Sequence, residues 1–261
     1  MFLKLVKHEL HETYRLLLLL FAGLLVMAGL ARGSNWIMSE SNIAALKILG
    51  VMLIGIFILS CVATVILTVV LMMVRFARSV HGDEGYLTHT LPVGTHSILL
   101  SRLLVSFLAV LSSYAAVYLG FRICTAGVKS VSEIGTVFRL SMQELDIDPG
   151  RGLLKFGVMI LVSSLTQILQ IFAAISIGHS FNTGKTGKSV LFYFVLSIGS
   201  SLVTNLLSLV VMGSQFLSQS QASLSQLTEL ATYFSLGADL ILAGVYYFLT
   251  WIMTRKRLNL A

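Results

Sequence analysis

Six long apolar runs constrain this sequence more than any other feature. They cover approximately residues 13–31, 46–74, 98–121, 154–178, 189–213 and 234–253. A helix needs about 20 predominantly apolar residues to cross the hydrocarbon core of a bilayer, and each run is close to that length or longer. The runs are continuous and do not alternate at every second residue, which favours helices over a membrane β-barrel. We therefore predict an all-α membrane protein with six transmembrane helices, forming one membrane domain over residues 1–261.

Composition excludes an ordinary soluble domain. Hydrophobic residues make up 56% of the chain and charged residues only 11%, whereas soluble domains carry about 25% charged residues. The net charge of +7 would suit nucleic acid, but the basic residues lie beside the apolar runs, where membrane topology explains them. We therefore expect membrane lipid, and no nucleic acid, as a partner. Cys61 and Cys124 have neither disulfide nor metal-site spacing, so we expect no metal.

The distribution of Lys and Arg predicts the orientation. With the N-terminus in the cytosol, eleven of the 18 basic residues fall on the cytosolic side and seven on the outer side. Cytosolic segments carry the excess of Lys and Arg in membrane proteins. The run Arg255-Lys256-Arg257 is the clearest single anchor. We therefore predict a multi-pass protein with both termini in the cytosol.

Residues 2–15 have the pattern of an amphipathic helix. One side of the helical wheel carries the apolar residues Phe2, Leu3, Val6, Leu10 and Tyr14, and the other side is charged or polar. Such a helix is suited to lying in the membrane interface. A cleaved signal peptide is the alternative, but its charged region would be unusually long and would contain Glu9 and Glu12.

The segment between the second and third runs combines turn residues with apolar anchors. Gly82 and Gly85 permit a bend, and Asp83-Glu84 suit the N-terminus of a short helix. Pro92 should end that helix, because the residue before a proline avoids helical geometry. A short cytosolic helix with exposed apolar residues fits the groove of a partner protein. The alternative is a plain loop resting on the lipid headgroups.

The same segment carries a resemblance to a known family. The run Gly82-Asp-Glu-Gly-Tyr-Leu-Thr-His-Thr-Leu-Pro-Val93, followed by Leu99-Leu-Ser-Arg-Leu103, resembles the permease subunits of bacterial type-two ATP-binding-cassette exporters. It is most similar to those of Gram-positive bacteria that are often assigned to antibiotic or peptide transport. The N-terminal amphipathic helix and the basic C-terminal run also look like that family. The resemblance covers the whole chain, but only the motif at 82–93 is specific.

The resemblance implies a subunit of the bacterial cytoplasmic (plasma) membrane that exports a peptide, lipid-like or drug substrate. Such a permease pairs with a second copy or a paralogue and with two cytosolic ABC ATPases. ATP-Mg is bound in the ATPases, so this chain is expected to be no enzyme, with no catalytic residue and no cofactor of its own. By motif position, the coupling helix that contacts the ATPase carries over to Asp83, Glu84, Gly85, Tyr86 and Leu87.

A second segment imitates a nucleotide site. Residues 178–186 nearly spell a phosphate-binding P-loop, ending in Gly184-Lys185-Thr186. The spacing is one residue too long, and the segment follows an apolar helix where a P-loop needs a strand. We therefore interpret it as a tight cytosolic turn.

Polar residues inside the apolar runs are candidates for a substrate path. Gln167 and Gln170 are three residues apart and hence predicted on one face of the fourth span, and Asn205 lies in the fifth. Asp239 lies five residues into the sixth span, about 8 Å deep at 1.5 Å per residue. A carboxylate at membrane depth usually faces protein or water. The alternative for these residues is hydrogen bonding between helices.

Three other functions remain as alternatives to the exporter, namely a proton-driven secondary transporter, an intramembrane enzyme and a membrane anchor for another protein. A proton-driven secondary transporter would use Asp239 as the proton carrier, but no proline interrupts a span and no pair of broken helices is evident. An intramembrane enzyme needs clustered acidic or histidine residues at membrane depth, and all six histidines fall outside the apolar cores. The sequence leaves open the substrate, the choice between homodimer and heterodimer, and the direction of transport.

Overall fold

The computed structural model describes residues 2–40, 43–81, 94–126, 149–181, 184–217 and 224–256. These residues form six α-helices, and no strand occurs among them. The helices are α1 (Phe2–Glu40), α2 (Ala44–Phe76), α3 (Thr95–Thr125), α4 (Pro149–Gly178), α5 (Lys185–Leu217) and α6 (Leu224–Lys256). A π turn (Ala77–His81) continues directly from α2.

All six helices contain a stretch long and apolar enough to cross a membrane. These stretches are Leu5–Trp36, Ala44–Val80, Thr95–Thr125, Gly150–Gly178, Lys185–Val210 and Glu229–Arg255. Their outer faces remain largely apolar and exposed, as expected where lipid is the solvent. The predicted class, an all-α multi-pass membrane protein, is confirmed.

The helices extend beyond the predicted spans at most of their ends. The sixth, for example, begins at Leu224 where hydropathy placed the start of the span at 234. Hydropathy detects only the part of a helix that lipid can cover. Backbone hydrogen bonding continues a helix into polar sequence, so the span and the helix need not end together.

The N-terminal segment is helical as predicted, but no break separates it from the first span. Helix α1 runs continuously for 39 residues. Its buried side carries Glu9, Thr13 and Leu17, whereas Leu10 and Tyr14 on the predicted apolar side are 44% and 37% exposed. The apolar side of this segment thus stays exposed at Leu10 and Tyr14, and the buried side carries the polar residues Glu9 and Thr13. Its position in the membrane interface stays a prediction.

The chain divides into two compact units. Unit 1 contains α1, α2 as far as Met72, and α3 from Leu104 onward. Unit 2 contains the end of α2 with the π turn, the start of α3, and α4 to α6. The prediction of one membrane domain over the whole chain is not tested by this division.

Small residues let the helices of unit 1 approach closely. Ala28 and Ala31 of α1 are fully buried in a cluster with Phe57 of α2 and Cys124 of α3. The Cβ that Gly120 lacks would lie 3.5 Å from the Phe57 ring. Close packing of small residues is the usual source of helix association in membranes. The hydrophobic effect does not drive helices together there, because lipid tails are as apolar as the helix surfaces.

In unit 2, α4 is the central helix and packs against both α5 and α6. Leu169 and Ala173 of α4 form a buried cluster with Ala243 and Tyr246 of α6. The π turn also packs on α4, and the Phe76 ring before it stacks on Phe172 with centroids 3.8 Å apart.

Candidate functional site

Asp239 lies within the stretch of α6 that is long and apolar enough to cross a membrane. It is ten residues beyond Glu229, where that stretch begins, or about 15 Å along the helix at 1.5 Å per residue. It is therefore near the middle of the stretch, where an ionised group would be most costly in a membrane. The depth of about 8 Å that hydropathy indicated stays a prediction.

The backbone around Asp239 is tied to α4. The Thr166 hydroxyl is 3.1 Å from the Asp239 carbonyl oxygen and 3.0 Å from the Val162 carbonyl oxygen of its own helix, and its proton can serve either acceptor. The Asp239 side chain is half-buried, and it makes no hydrogen bond or ion pair with another described residue. The contact with Thr166 thus holds the backbone of Asp239, while the carboxyl group can accept a proton or a hydrogen bond from a ligand.

The two glutamines of α4 have different environments, although three-residue spacing predicted one face. Gln170 is only 4% exposed, and its Nε2 has no hydrogen-bond partner among the described residues. Gln167 is exposed. Gln170 lies one helical turn beyond Thr166 and therefore on the same face of α4. Thr166, Gln170 and Asp239 form what we call the midspan strip of α4 and α6.

Asn205 stands apart from this strip. It is exposed on α5, and its amide donates to the Ser201 carbonyl at 2.8 Å and lies 3.2 Å from the Ser201 hydroxyl. Of the four predicted path residues, the structure therefore puts Gln170 and Asp239 on the two packed helices α4 and α6. It leaves Gln167 and Asn205 on exposed faces.

The end of α4 and the start of α5 are in close contact, and the residues there do not form a nucleotide site. The Ser189 hydroxyl donates to the Lys185 carbonyl at 2.9 Å and lies 3.4 Å from His179 Nδ1. Gly184 has a φ of 65°, a left-handed conformation that favours glycine, immediately before α5. The Lys188 ammonium lies 4.5 Å from the centroid of the Phe181 ring. Residues 182–183 lie outside the described residues, so the interpretation of residues 178–186 as a tight turn stays a prediction. No strand precedes this segment among the described residues.

An aromatic cluster that sequence reasoning missed joins the start of α3 to the end of α6. His96 Nδ1 lies 3.0 Å from the Tyr247 hydroxyl, and the His96 ring stacks on Trp251 at 5.0 Å. The Arg255 guanidinium lies 5.4 Å from the centroid of the Trp251 ring. His96 and Tyr247 are 151 residues apart, so no local pattern could pair them. The only sequence signal was an aromatic pair beside basic residues at a span end, typical of the membrane interface.

A second contact that the sequence did not indicate joins the start of α4 to the start of α6. The Lys155 ammonium pairs with the Glu229 carboxylate and lies 5.4 Å from the centroid of the Tyr233 ring. Helices α4 and α6 are thus joined by polar contacts near residue 155 and at the midspan strip. Such contacts fix the register of the two helices.

The predicted coupling residues Asp83, Glu84, Gly85, Tyr86 and Leu87 lie outside the described residues, as does the whole segment 82–93. Among the residues that the structure does describe, no group of three His, Cys, Asp or Glu side chains could hold a metal ion.

Comparisons with protein-family models, with curated proteins and with solved structures find no match. The fold itself defines the class: a multi-pass α-helical membrane protein with six helices that can span a bilayer.

Proposed function

We propose that this chain is the permease subunit of an ATP-driven exporter in the bacterial cytoplasmic membrane, with both termini in the cytosol. The observation that carries the proposal is the segment 82–93, whose sequence resembles the coupling segment of type-two ABC permeases. It joins the π turn after α2 to the start of α3. The arginines of that end of α2, Arg75 and Arg78, are the kind of basic residues that mark a cytosolic end.

The energy source would be a separate ABC ATPase that binds ATP-Mg. The described part of this chain has no strand on which a P-loop could be built. A cytosolic ATPase can move the helices of this subunit only through a contact on its cytosolic side. The His96–Tyr247–Trp251 cluster lies directly after segment 82–93, where it would link motion of that segment to α6.

A second permease subunit, either an identical copy or a paralogue, is also part of the proposal. The apolar stretch of α5 has no buried residue in its most hydrophobic window. Asn205 projects from that open helix, and an amide at membrane depth usually faces protein rather than lipid. An adjoining subunit on α5 would cover this residue. The midspan strip would then offer hydrogen-bonding groups to a peptide, lipid-like or drug substrate.

The test is purification of the tagged chain from its native membrane. We expect an ABC ATPase to co-purify, and Tyr86→Ala to weaken that association, because truncating a central aromatic anchor often costs about 2 kcal/mol or more. Substituting Asp83 and Glu84 by Lys should leave membrane insertion intact and uncouple ATP hydrolysis from transport.

The matched control makes the same charge change at Asp146 and Asp148, on the predicted outer side. It should leave hydrolysis coupled to transport. Assembly and transport at the wild-type rate in both the Tyr86→Ala and the 83/84 variants would show that segment 82–93 is not the coupling element.

Asp239 favours one other function, that of a proton-driven transporter. A half-buried carboxyl group near midspan, with no described partner, has the properties of a proton carrier. Against this, α4, α5 and α6 are each continuous, whereas many such transporters bind their ions at broken helices. Uptake or efflux by reconstituted vesicles under a proton gradient, without ATP or an ATPase, would favour this alternative. Asp239→Asn should then abolish the transport.

A further inference from the structure

Unit 1 contains an open groove between α1 and α3, with a volume of about 380 Å³. Its floor consists of four buried residues, Thr13, Leu17, Val105 and Ala109. Its rims consist of exposed leucines, namely Leu10 and Leu18 on α1 and Leu108 on α3. The lining is almost entirely apolar, so the groove suits a hydrocarbon occupant.

The dimensions of the groove fit one extended aliphatic chain. It follows α1 from Leu10 to Phe21, eleven residues or about 16 Å at 1.5 Å per residue. Over this length a helix with its side chains, about 10–12 Å wide, would occupy about 1,300–1,900 Å³, several times the volume of the groove, and does not fit. Carbon atoms pack at about 3.5–4.0 Å, so a single polymethylene chain fits in the groove.

The N-terminal end of the groove carries hydrogen-bond donors suited to a phosphate. Lys7 precedes Leu10 by three residues and Tyr14 by seven, which places it on the groove face of α1. The His11 ring lies 5.1 Å from the Tyr14 ring. Lys7, His11 and Tyr14 make no hydrogen bond or ion pair with another described residue. Of the nearby acids, Glu9 is buried and Glu12 lies 3.3 Å from His8.

We propose that this groove binds one acyl chain of a membrane phospholipid and that Lys7, His11 and Tyr14 bind its phosphate. The acyl chain would fill the space between α1 and α3 that their own side chains leave open. The lipid would then form part of the packing of unit 1 instead of exchanging freely with the bilayer. The proposal concerns unit 1 alone and holds whether or not the chain is an exporter.

Photo-crosslinking tests where the acyl chain lies. The full chain is reconstituted into phosphatidylcholine vesicles containing a trace of phospholipid with a diazirine in its acyl chain. After irradiation, peptide mass spectrometry should place the adducts mainly on residues 10–21 and 105–112. Ser112→Phe should abolish these adducts by filling the groove, because the Ser112 hydroxyl bonds only to its own helix. Ala115→Phe is the matched control on the same helix, since Ala115 is exposed and outside the groove, and it should retain them.

A diacylglycerol carrying the same diazirine tests the phosphate site. Lys7→Gln should reduce groove labelling by the phospholipid about fivefold, the effect of losing one basic residue near a membrane surface. It should leave labelling by the diacylglycerol unchanged. If Lys7→Gln reduced groove labelling by the phospholipid and by the diacylglycerol equally, no phosphate would be bound there.

Three other results would overturn the proposal. Adducts spread evenly over exposed faces such as that of Leu59 would mean ordinary solvation by lipid. Groove adducts that survive Ser112→Phe would place the lipid elsewhere. In a separate reaction with a bifunctional amine-reactive and photoreactive reagent, cross-linking of residues 10–21 to a second copy of the chain, seen as a dimer by intact mass, would mean that protein covers the groove.

Discussion

The close approach of α4 and α5 at Gly178 gives a sharp test of unit 2. A Cβ at residue 178 would lie 2.5 Å from both the Cα and the backbone nitrogen of Ser189. Carbon atoms pack best at about 3.5–4.0 Å, so Gly178→Ala must move the two backbones apart by about 1 Å. Overpacking of this kind costs about 1–3 kcal/mol. The higher helix propensity of alanine returns about 1 kcal/mol, which leaves a net loss of up to about 2 kcal/mol.

The loss can be measured by denaturing the purified protein in a titration with SDS, with helix content followed by circular dichroism. Gly187→Ala is the matched control in the same turn, because a Cβ there meets nothing within 4 Å. It should be neutral, or stabilising by up to about 1 kcal/mol. If Gly178→Ala unfolds at the same SDS concentration as Gly187→Ala, α4 and α5 do not meet at Ser189 as described.

Three further predictions address the midspan strip and the topology. Thr166→Val should lower the free energy of unfolding by about 0.6 kcal/mol, the average for a hydrogen bond between membrane helices. Thr250→Val should cost less in the same titration, because that hydroxyl bonds only within its own helix, and equal losses would contradict the interhelical bond. Asp239→Asn should fold normally but alter substrate-stimulated ATPase activity in the reconstituted complex, and unchanged transport of every substrate would make the residue structural. In intact cells, a cysteine at Ser220 should react with an impermeant reagent and one at Thr186 should not, whereas labelling at 186 would refute the orientation.

The sequence predicted the six spans because lipid imposes one strong requirement, about 20 apolar residues in a helix. It could not predict helix ends, since backbone hydrogen bonds extend a helix into polar sequence. Helix α6 begins ten residues before the predicted start of its span. Nor could it separate Gln167 from Gln170. Residues three apart differ by about 60° around a helix, and only the position of a neighbouring helix decides which one is buried.

The candidate site was partly predictable. Polarity within an apolar run was enough to select Asp239 and Gln170, because such residues are rare at membrane depth. The partner of the Asp239 carbonyl, Thr166, was not identifiable, because a threonine in a membrane helix usually bonds to its own backbone. The His96–Tyr247 contact depends on how α3 meets α6, which no local pattern encodes.

The π turn before segment 82–93 has a mechanical consequence. A π turn holds about one residue more than an α turn, so converting Ala77–His81 to α-helical pairing would rotate the residues that directly follow it by about 100° and shift them by about 1.5 Å. Phe76, stacked on Phe172, could stay in place while this happens. A rotation of segment 82–93 could therefore be accommodated by a change of hydrogen-bond register at the end of α2. Helix α4 would not need to move. We expect deletion of Ala77 to lock the α register. If segment 82–93 couples this chain to an ATPase as proposed, cysteine accessibility along 82–93 would then no longer respond to ATP.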